Sequence, residues 1–140
     1  MIELAVDASM AAKWLVEEDD SPLARVLLGP GYSLISPDLL VPELINVIKK
    51  NVDRKRLELA EGFAAILKLV ALPVQLFESR SLAEPAFDLA IRLKLSGYDA
   101  TYAALAIREG CQLVTADRRL FDAIEAAYPG SGLWIADVPA

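Results

Sequence analysis

Histidine is absent from the sequence, and cysteine occurs once, at Cys111. The lack of histidine excludes the commonest general base in enzymes, the serine-histidine and cysteine-histidine nucleophile pairs, and zinc sites with a histidine ligand. A single cysteine also excludes thiolate zinc sites and an internal disulfide. The chemistry that remains is that of carboxylates, of lysines and of cations that prefer oxygen ligands, such as Mg²⁺ and Mn²⁺.

Long hydrophobic segments are missing as well. The longest apolar stretch, residues 69–74, ends at Gln75, well short of the ~20 residues that a membrane helix needs. The first residues lack the basic start and the cleavage site of a signal peptide. Together with the single cysteine, these features predict a soluble protein of the reducing cytoplasm.

Basic residues are the minority among the charged ones. Lysine and arginine total 14 against 20 aspartates and glutamates, a net charge of −6, which argues against a general nucleic-acid binder because such surfaces are usually basic. The objection weakens if acidic residues are concentrated in a cation site and basic ones cluster elsewhere. Two basic clusters are present, although the first also fits a solvated helix end: Lys49, Lys50, Arg54, Lys55 and Arg56, and the pair Arg118 and Arg119 beside Asp117.

The length of 140 residues predicts one domain, residues 1–140, with one hydrophobic core. Hydrophobic residues make up 55% of the chain, and the mean hydropathy is +0.38. Both values are high for a short soluble chain and indicate apolar surface for another subunit or partner. We therefore expect oligomerisation.

Strand and helix patterns alternate along the chain. Strands are predicted at residues 2–6, 33–36, 74–77, 112–115 and 133–136, and helices at residues 10–17, 38–51, 58–70, 82–95, 100–109 and 120–127, with a further helix start at Asp20. This alternation predicts an α/β fold, a three-layer α/β/α sandwich around a central, mainly parallel five-stranded sheet. No Gly-x-Gly-x-x-Gly follows any predicted strand, which disfavours dinucleotide binding.

Acidic residues lie where such a fold binds ligands, beyond the carboxyl ends of its strands. Asp7 ends the first strand, Asp117 closely follows the fourth, and Asp99 begins the helix that leads into the fourth. If strands one and four are neighbours, these three carboxylates converge. Each could instead act as a helix cap, Asp99 through a capping box with Ser96.

Glu43 lies at the margin of the apolar arc of the helix predicted at residues 38–51, one turn before Asn46. That position suits a side chain that reaches into the rim of a cleft, and it also suits a plain surface residue. A single cation site would explain all four acids together. Without a cation, the repulsion among them predicts that at least one binds a proton more readily than a free carboxylate does.

Four motifs in order along the chain resemble those of PIN-domain nucleases. They are Val6-Asp7-Ala8-Ser9, Pro42-Glu43-Leu44-Ile45-Asn46, Tyr98-Asp99-Ala100-Thr101-Tyr102-Ala103-Ala104-Leu105-Ala106, and Leu113-Val114-Thr115-Ala116-Asp117. The likeness spans nearly the whole chain, and its size resembles that of the VapC-type toxins of bacterial and archaeal toxin-antitoxin pairs.

The resemblance implies a PIN-like fold and a site in which Asp7, Glu43, Asp99 and Asp117 are the catalytic and cation-binding residues. Supporting polar residues would be Ser9, Asn46 and Thr115. It also implies Mg²⁺ or Mn²⁺ as cofactor, RNA as substrate, a homodimer, and inhibition by a cognate antitoxin protein. A water activated by the cation would hydrolyse the phosphodiester and leave a 5′-phosphate and a free 3′-hydroxyl.

Side chains near the expected site could also contact RNA, namely Lys13, Tyr98, Arg118 and Arg119. The favoured interpretation is the ordinary one: Lys13 solvated, Tyr98 half-buried by packing, and the two arginines exposed on a helix. A helical stripe of Leu59, Phe63, Ile66 and Leu67 could likewise form a dimer or antitoxin contact, with core packing the favoured account.

Two other functions remain open from the residues alone. One is a catalytically idle PIN-like module that only binds another protein, against which the intact acidic set argues. The other is an aspartyl-phosphate hydrolase, which also places an aspartate after its first strand. That class normally has a second aspartate two positions later, where this sequence has Ser9.

Overall fold

A parallel sheet forms the centre of the computed structural model, which describes residues 1–139. Its strands are β1 (Ile2–Val6), β2 (Tyr32–Pro37), β3 (Val74–Phe77), β4 (Gln112–Thr115) and β5 (Gly132–Trp134). They run in the order β3-β2-β1-β4-β5, and every pairing among the described residues is parallel. The predicted mainly parallel, five-stranded sheet is confirmed.

Helices cover both faces of the sheet. One group consists of α1 (Ala8–Leu15), α2 (Ser21–Arg25), α3 (Leu40–Asp53) and α4 (Leu59–Val70), and the other of α5 (Ala83–Leu93), α6 (Gly97–Glu109) and α7 (Arg118–Ala127). Helix α1 contacts α2, α3 and α4, whereas α5 contacts α6 and α7. The chain runs outward from β1 to β3 and returns to β4 and β5, so right-handed crossovers put the two groups on opposite faces. The result is the predicted three-layer α/β/α sandwich.

The two central strands are buried on both faces. Val6 on β1 and Val114 on β4 are fully buried, as are their neighbours Ala5 and Leu113. Continuous apolar runs of this kind are typical of parallel strands covered by helices on each side. The neighbouring β1 and β4 bring distant parts of the chain together at their carboxyl ends.

Three helices begin two or three residues earlier than the apolar spacing predicts, because a polar side chain caps each one. Asp7 accepts a hydrogen bond from the backbone N–H of Met10, and Ser96 accepts one from that of Asp99. Asp117 accepts from two backbone N–H groups at the start of α7. The apolar pattern starts only after each cap, so it misses the first residues of α1, α6 and α7.

The fifth strand is shorter than predicted. Residues 133–136 were expected to form it, but β5 ends at Trp134 and a 3₁₀ turn occupies Ile135–Asp137. Ile135 is nevertheless buried. A short apolar run can be buried in a turn as well as in a strand, so hydrophobicity alone misplaces this boundary.

Core packing is the wrong explanation for most of the apolar stripe on α4. Leu59, Phe63 and Leu67 are 65%, 66% and 72% exposed, whereas Ile66 packs partly against the core. The stripe borders a groove of about 330 Å³ between α3 and α4 that Ile45 and Ile48 also line. The hydrophobic face of α4 is therefore wider than the part the core covers.

The helices within residues 1–139 are short or interrupted by polar residues. None of them combines the length and the apolar character that crossing a bilayer requires.

Candidate active site

The carboxyl ends of β1 and β4 mark the point where the chain connections leave the sheet towards opposite faces. Open parallel sheets bind ligands at such a point. The pairing of the two strands ends at Val6 and Val114. The next residues of the two segments, Asp7 and Thr115, are joined by a side-chain hydrogen bond. The structure thus confirms that strands one and four are neighbours, the condition on which the convergence of the acids depended.

Asp7 is held by three hydrogen bonds. Ser9 Oγ donates to Oδ1 at 2.7 Å, the backbone N–H of Met10 donates to the same oxygen at 2.9 Å, and Thr115 Oγ1 donates to Oδ2 at 2.5 Å. The residue is only 3% exposed. Both carboxylate oxygens are therefore fixed, one from α1 and one from β4.

The two hydroxyls that hold Asp7 also accept hydrogen bonds from the loop after β4. The backbone N–H of Ala116 donates to Ser9 Oγ at 3.1 Å, and that of Asp117 donates to Thr115 Oγ1 at 3.0 Å. Each hydroxyl has one proton and uses it on Asp7, so its lone pairs are free to receive these amides. The network joins the end of β1 to the loop that carries Asp117.

Burial is the main influence on the ionisation of Asp7. It raises the pKa of the carboxyl from 3.8 to about 6, against the opposing effect of the three hydrogen bonds, and the nearby charge of Asp99 adds a further small rise. The predicted rise in pKa is therefore confirmed for Asp7, but repulsion between like charges, the predicted cause, is not the main one. Desolvation of a charge near the core outweighs the repulsion between like charges here.

Asp99 links the remaining acids. Partial burial raises its pKa first, then the negative charges of Asp117 and Glu43 raise it further, while the positive charge of Arg119 opposes the rise. Asp99, Glu43 and Asp117 are all partly exposed. Each of the four acids is thus within electrostatic range of at least one other, and Asp99 interacts with all three of the others.

The four acids do not surround a single ion-binding point in this structure. Within residues 1–139, no three acidic side chains converge on a point where one ion could sit as they stand. Two carboxylates about 4 Å apart repel by about 4 kcal/mol at an effective dielectric of about 20, so side chains with no cation between them are expected to stay apart. In chemistry the set fits a hard divalent cation, because all of its donors are carboxylate oxygens.

Tyr102 was not singled out by the sequence analysis. It lies on α6 three residues after Asp99, and it is 1% exposed with a hydroxyl that has no hydrogen-bond partner in the described residues. Burial, then the charge of Glu43, raises the pKa of this phenol well above its usual range. An unpaired buried hydroxyl costs about 1–3 kcal/mol. The signal that could have identified it is its spacing from Asp99 on a helix face otherwise formed by alanine and leucine.

Other expected residues have different surroundings. Asn46 is exposed and takes no part in the Asp7 network. Lys13 is not solvated as expected, because its side chain is only 11% exposed and pairs with Asp20 at 2.8 Å and Glu18 at 3.3 Å. Tyr98 is not half-buried but 63% exposed, since it lies in the first turn of α6, at the solvent side.

The two arginines of α7 are both exposed, as expected. Arg118 lies over the ring of Trp134, 4.1 Å from its centroid, which directs it towards β5. Arg119 is the one whose charge acts on Asp99.

A cleft of about 600 Å³ opens beside the Asp7 network. Ser9 and Ala116 form the end nearest the site, and Lys13, Asn51 and Arg56 line the part between α1 and the end of α3. Polar and apolar walls are both present. The cleft runs from Ser9 and Ala116 towards Arg56, and its lining also includes Glu17, Glu18 and Glu61.

Comparison with known proteins agrees with this architecture. The family model described as PIN domain matches residues 4–126. This match covers most of the chain and agrees with the parallel α/β sandwich that carries acids beyond the carboxyl ends of its central strands. The chain belongs to the PIN-domain family.

Its relatives within the family include VapC ribonucleases. Ribonuclease VapC9 of Mycobacterium tuberculosis is 36% identical over 126 residues, 90% of this chain and 94% of the relative. Ribonuclease VapC3 of Pyrobaculum aerophilum is 32% identical over 129 residues, 89% of this chain and 97% of the relative.

Solved structures share the fold. PAE2754 from Pyrobaculum aerophilum superposes with a TM-score of 0.69 and 24% identity, covering 96% of this chain and 92% of its own. VapC20 of Mycobacterium tuberculosis, described as a toxin that cleaves the sarcin-ricin loop, gives a TM-score of 0.64 and 20% identity over 86% of this chain and 94% of its own. At these identities the likeness concerns the fold.

Proposed function

We propose that this protein is an endoribonuclease that requires Mg²⁺ or Mn²⁺, and that it is the toxin of a toxin-antitoxin pair. The observation that supports the proposal is the mutual electrostatic influence of Asp7, Glu43, Asp99 and Asp117 in a chain without histidine. Relatives 32–36% identical over about nine-tenths of the chain bear the name ribonuclease. Carboxylate-held cations are a common way to hydrolyse phosphodiesters without a histidine base.

Asp7 is the most buried of the four and is held by three hydrogen bonds, so it would anchor the site. Ser9 and Thr115 keep its two oxygens in one orientation. Glu43, Asp99 and Asp117 are more exposed and would complete the ligand set from α3, α6 and the start of α7. When bound, the cation would supply a water of lowered pKa as nucleophile and would neutralise charge on the phosphate.

The substrate would enter from the exposed side of Asp99. Arg119, close enough to influence the pKa of Asp99, would contact a phosphate of the RNA. The cleft beside Ser9 would take the strand further towards Arg56. The excess of acidic residues over basic ones is compatible with this route, because part of the negative charge would be neutralised by the cation.

A cognate antitoxin and a second copy of the chain are the partners we propose. Exposed Leu59, Phe63 and Leu67, with the groove between α3 and α4, support a protein contact on that face. Phe87 and Ile91 on α5, 70% and 66% exposed, support another. Large exposed apolar patches on a small chain are typical of protein interfaces.

Cleavage assays on partner-free protein test the proposal. Short RNAs of varied sequence are incubated with the wild type in Mn²⁺ or in excess chelator, alongside Asp99→Asn and the matched control Asp19→Asn, which changes an exposed turn residue. We expect cleavage only with Mn²⁺, loss of about 100-fold or more in Asp99→Asn because a ligand charge is removed, and normal cleavage in the control. Equal cleavage with and without chelator, unchanged in Asp99→Asn, would instead identify a contaminating nuclease.

A further inference from the structure

Two polar groups at the acidic edge lie close to each other. The Tyr102 hydroxyl is buried and makes no hydrogen bond of normal geometry within residues 1–139, although the Glu43 carboxylate is close enough for its charge and a weak hydrogen-bond contact to raise the pKa of the phenol beyond the effect of burial. Asp7, by contrast, has three donors. The Tyr102 hydroxyl can donate and the Glu43 carboxylate can accept, which suggests that the two groups act as a hydrogen-bonded pair.

We propose that Tyr102 is a positioning residue for Glu43: its O–H donates to one oxygen of the Glu43 carboxylate when the other oxygen binds the divalent cation. The inference rests on the proposed function, because it assumes that Glu43 is a cation ligand. Carboxylates that bind metals are generally hydrogen-bonded themselves, and these bonds fix their orientation. Tyr102 would do for Glu43 what Ser9 and Thr115 do for Asp7.

The other buried residues of α6 offer the Tyr102 hydroxyl no side-chain acceptor. Tyr102 follows Asp99 by three residues on α6, so the two side chains lie on the same face of the helix. The other buried positions of that helix are Ala100, Ala103, Ala104, Leu105 and Ala106, none of which has a side-chain acceptor.

Mn²⁺ binding to Tyr102→Phe measures the role directly. The ring stays and only the hydroxyl is removed, so in chelator we expect a melting temperature equal to or above that of the wild type. Titration with Mn²⁺ alone, followed by electron paramagnetic resonance, should show affinity weaker by about tenfold. RNA cleavage should lose a similar factor in kcat with little change in KM. Tyr32→Phe is the matched control, since its hydroxyl donates to the Pro139 carbonyl away from the site.

A double-mutant cycle separates action through Glu43 from a general effect. In a Glu43→Gln background, Tyr102→Phe should cause no further loss of Mn²⁺ affinity, because the carboxylate it positions is already gone. A further loss of the full factor would overturn the inference. So would a melting temperature lowered equally in chelator and in Mn²⁺, which would make the hydroxyl a purely structural group.

Asp99→Asn distinguishes the failure of this inference from the failure of the proposed function. If Asp99→Asn loses Mn²⁺ affinity while Tyr102→Phe retains it, only the role of the tyrosine is wrong. If both variants bind Mn²⁺ like the wild type, the cation site itself is wrong and the inference fails with it.

Discussion

The Thr115 hydroxyl donates a 2.5 Å hydrogen bond to Oδ2 of Asp7, from a position 108 residues further along the chain. The bond joins the end of β4 to the residue that follows β1, at the point where the chain connections diverge to opposite faces of the sheet. Thr115 is fully buried, so solvent cannot replace it. The orientation of Asp7 therefore depends on the pairing of the two central strands, and the fold itself sets the geometry of the proposed site.

Removal of this hydroxyl should destabilise the protein. Thr115→Val keeps the shape of the side chain but takes the donor from Asp7 and the acceptor from the backbone N–H of Asp117. We expect a loss of about 2 kcal/mol in the free energy of unfolding, the usual value for a buried hydrogen bond to a charged group. Urea unfolding at neutral pH in chelator measures it.

Thr101→Val provides the matched comparison. Its hydroxyl donates to the carbonyl of Gly97 within α6 at 2.7 Å, in a partly exposed position. A change below about 0.5 kcal/mol is expected there. Equal losses in the two variants would mean that the bond between Thr115 and Asp7 has no special weight.

Stability without cations should depend on pH through Asp7. The pKa of this carboxyl is about 6 in the folded protein and 3.8 in the unfolded chain, so the folded state binds the proton more tightly. The ionised form therefore costs stability: the cost is absent below about pH 4, grows as the pH rises towards 6, and is complete above it, at about 3 kcal/mol.

Asp7→Asn should remove this dependence, since an asparagine can still cap α1 but does not ionise. In chelator, the stability of the variant relative to the wild type should rise between about pH 4 and pH 7 by up to about 3 kcal/mol. Melting curves across that range provide the measurement. A constant difference between the two proteins at every pH would show that Asp7 ionises as freely folded as unfolded.

The architecture and the grouping of the acids could be predicted because they depend on local patterns. The apolar runs at β1 and β4 have the length and flanking residues of buried strands, and an aspartate directly after such a strand lies at its carboxyl end by necessity. The helix caps formed by Asp7 and Asp117 were equally visible. A capping role and a cation-binding role are compatible for both residues, so the two explanations do not compete.

The features that could not be predicted from the sequence depend on distances between helices and strands. The apolar stripe on α4 has the spacing of a core face. Whether Phe63 is covered depends on the distance between α4 and α3, and the spacing of apolar residues along the sequence does not predict that distance. The same applies to Lys13, whose burial results from Glu18 and Asp20 folding back over α1. Tyr102 escaped notice because an aromatic residue among alanines on a helix normally indicates packing, and only coordinates show its hydroxyl without a partner.

The chemistry of the product ends tests the proposed reaction. If water attacks the phosphorus, the 2′-hydroxyl of the RNA takes no part, and cleavage should leave a 5′-phosphate and a free 3′-hydroxyl. An otherwise identical RNA with a single 2′-deoxy sugar at the cleaved position should still be cut. Mass spectrometry of the fragments distinguishes the ends, and a 2′,3′-cyclic phosphate would be incompatible with this reaction.

The most direct test of the central claim is a crystal structure with Mn²⁺, using anomalous scattering to locate the ion. The account predicts a peak at the carboxyl end of β1 and β4, with oxygens of Asp7 and at least one of Glu43, Asp99 and Asp117 at about 2.1–2.2 Å, after small movements of the more exposed side chains. A map from a saturated, active crystal with no peak at this edge, or with the ion bound by other residues, would contradict it.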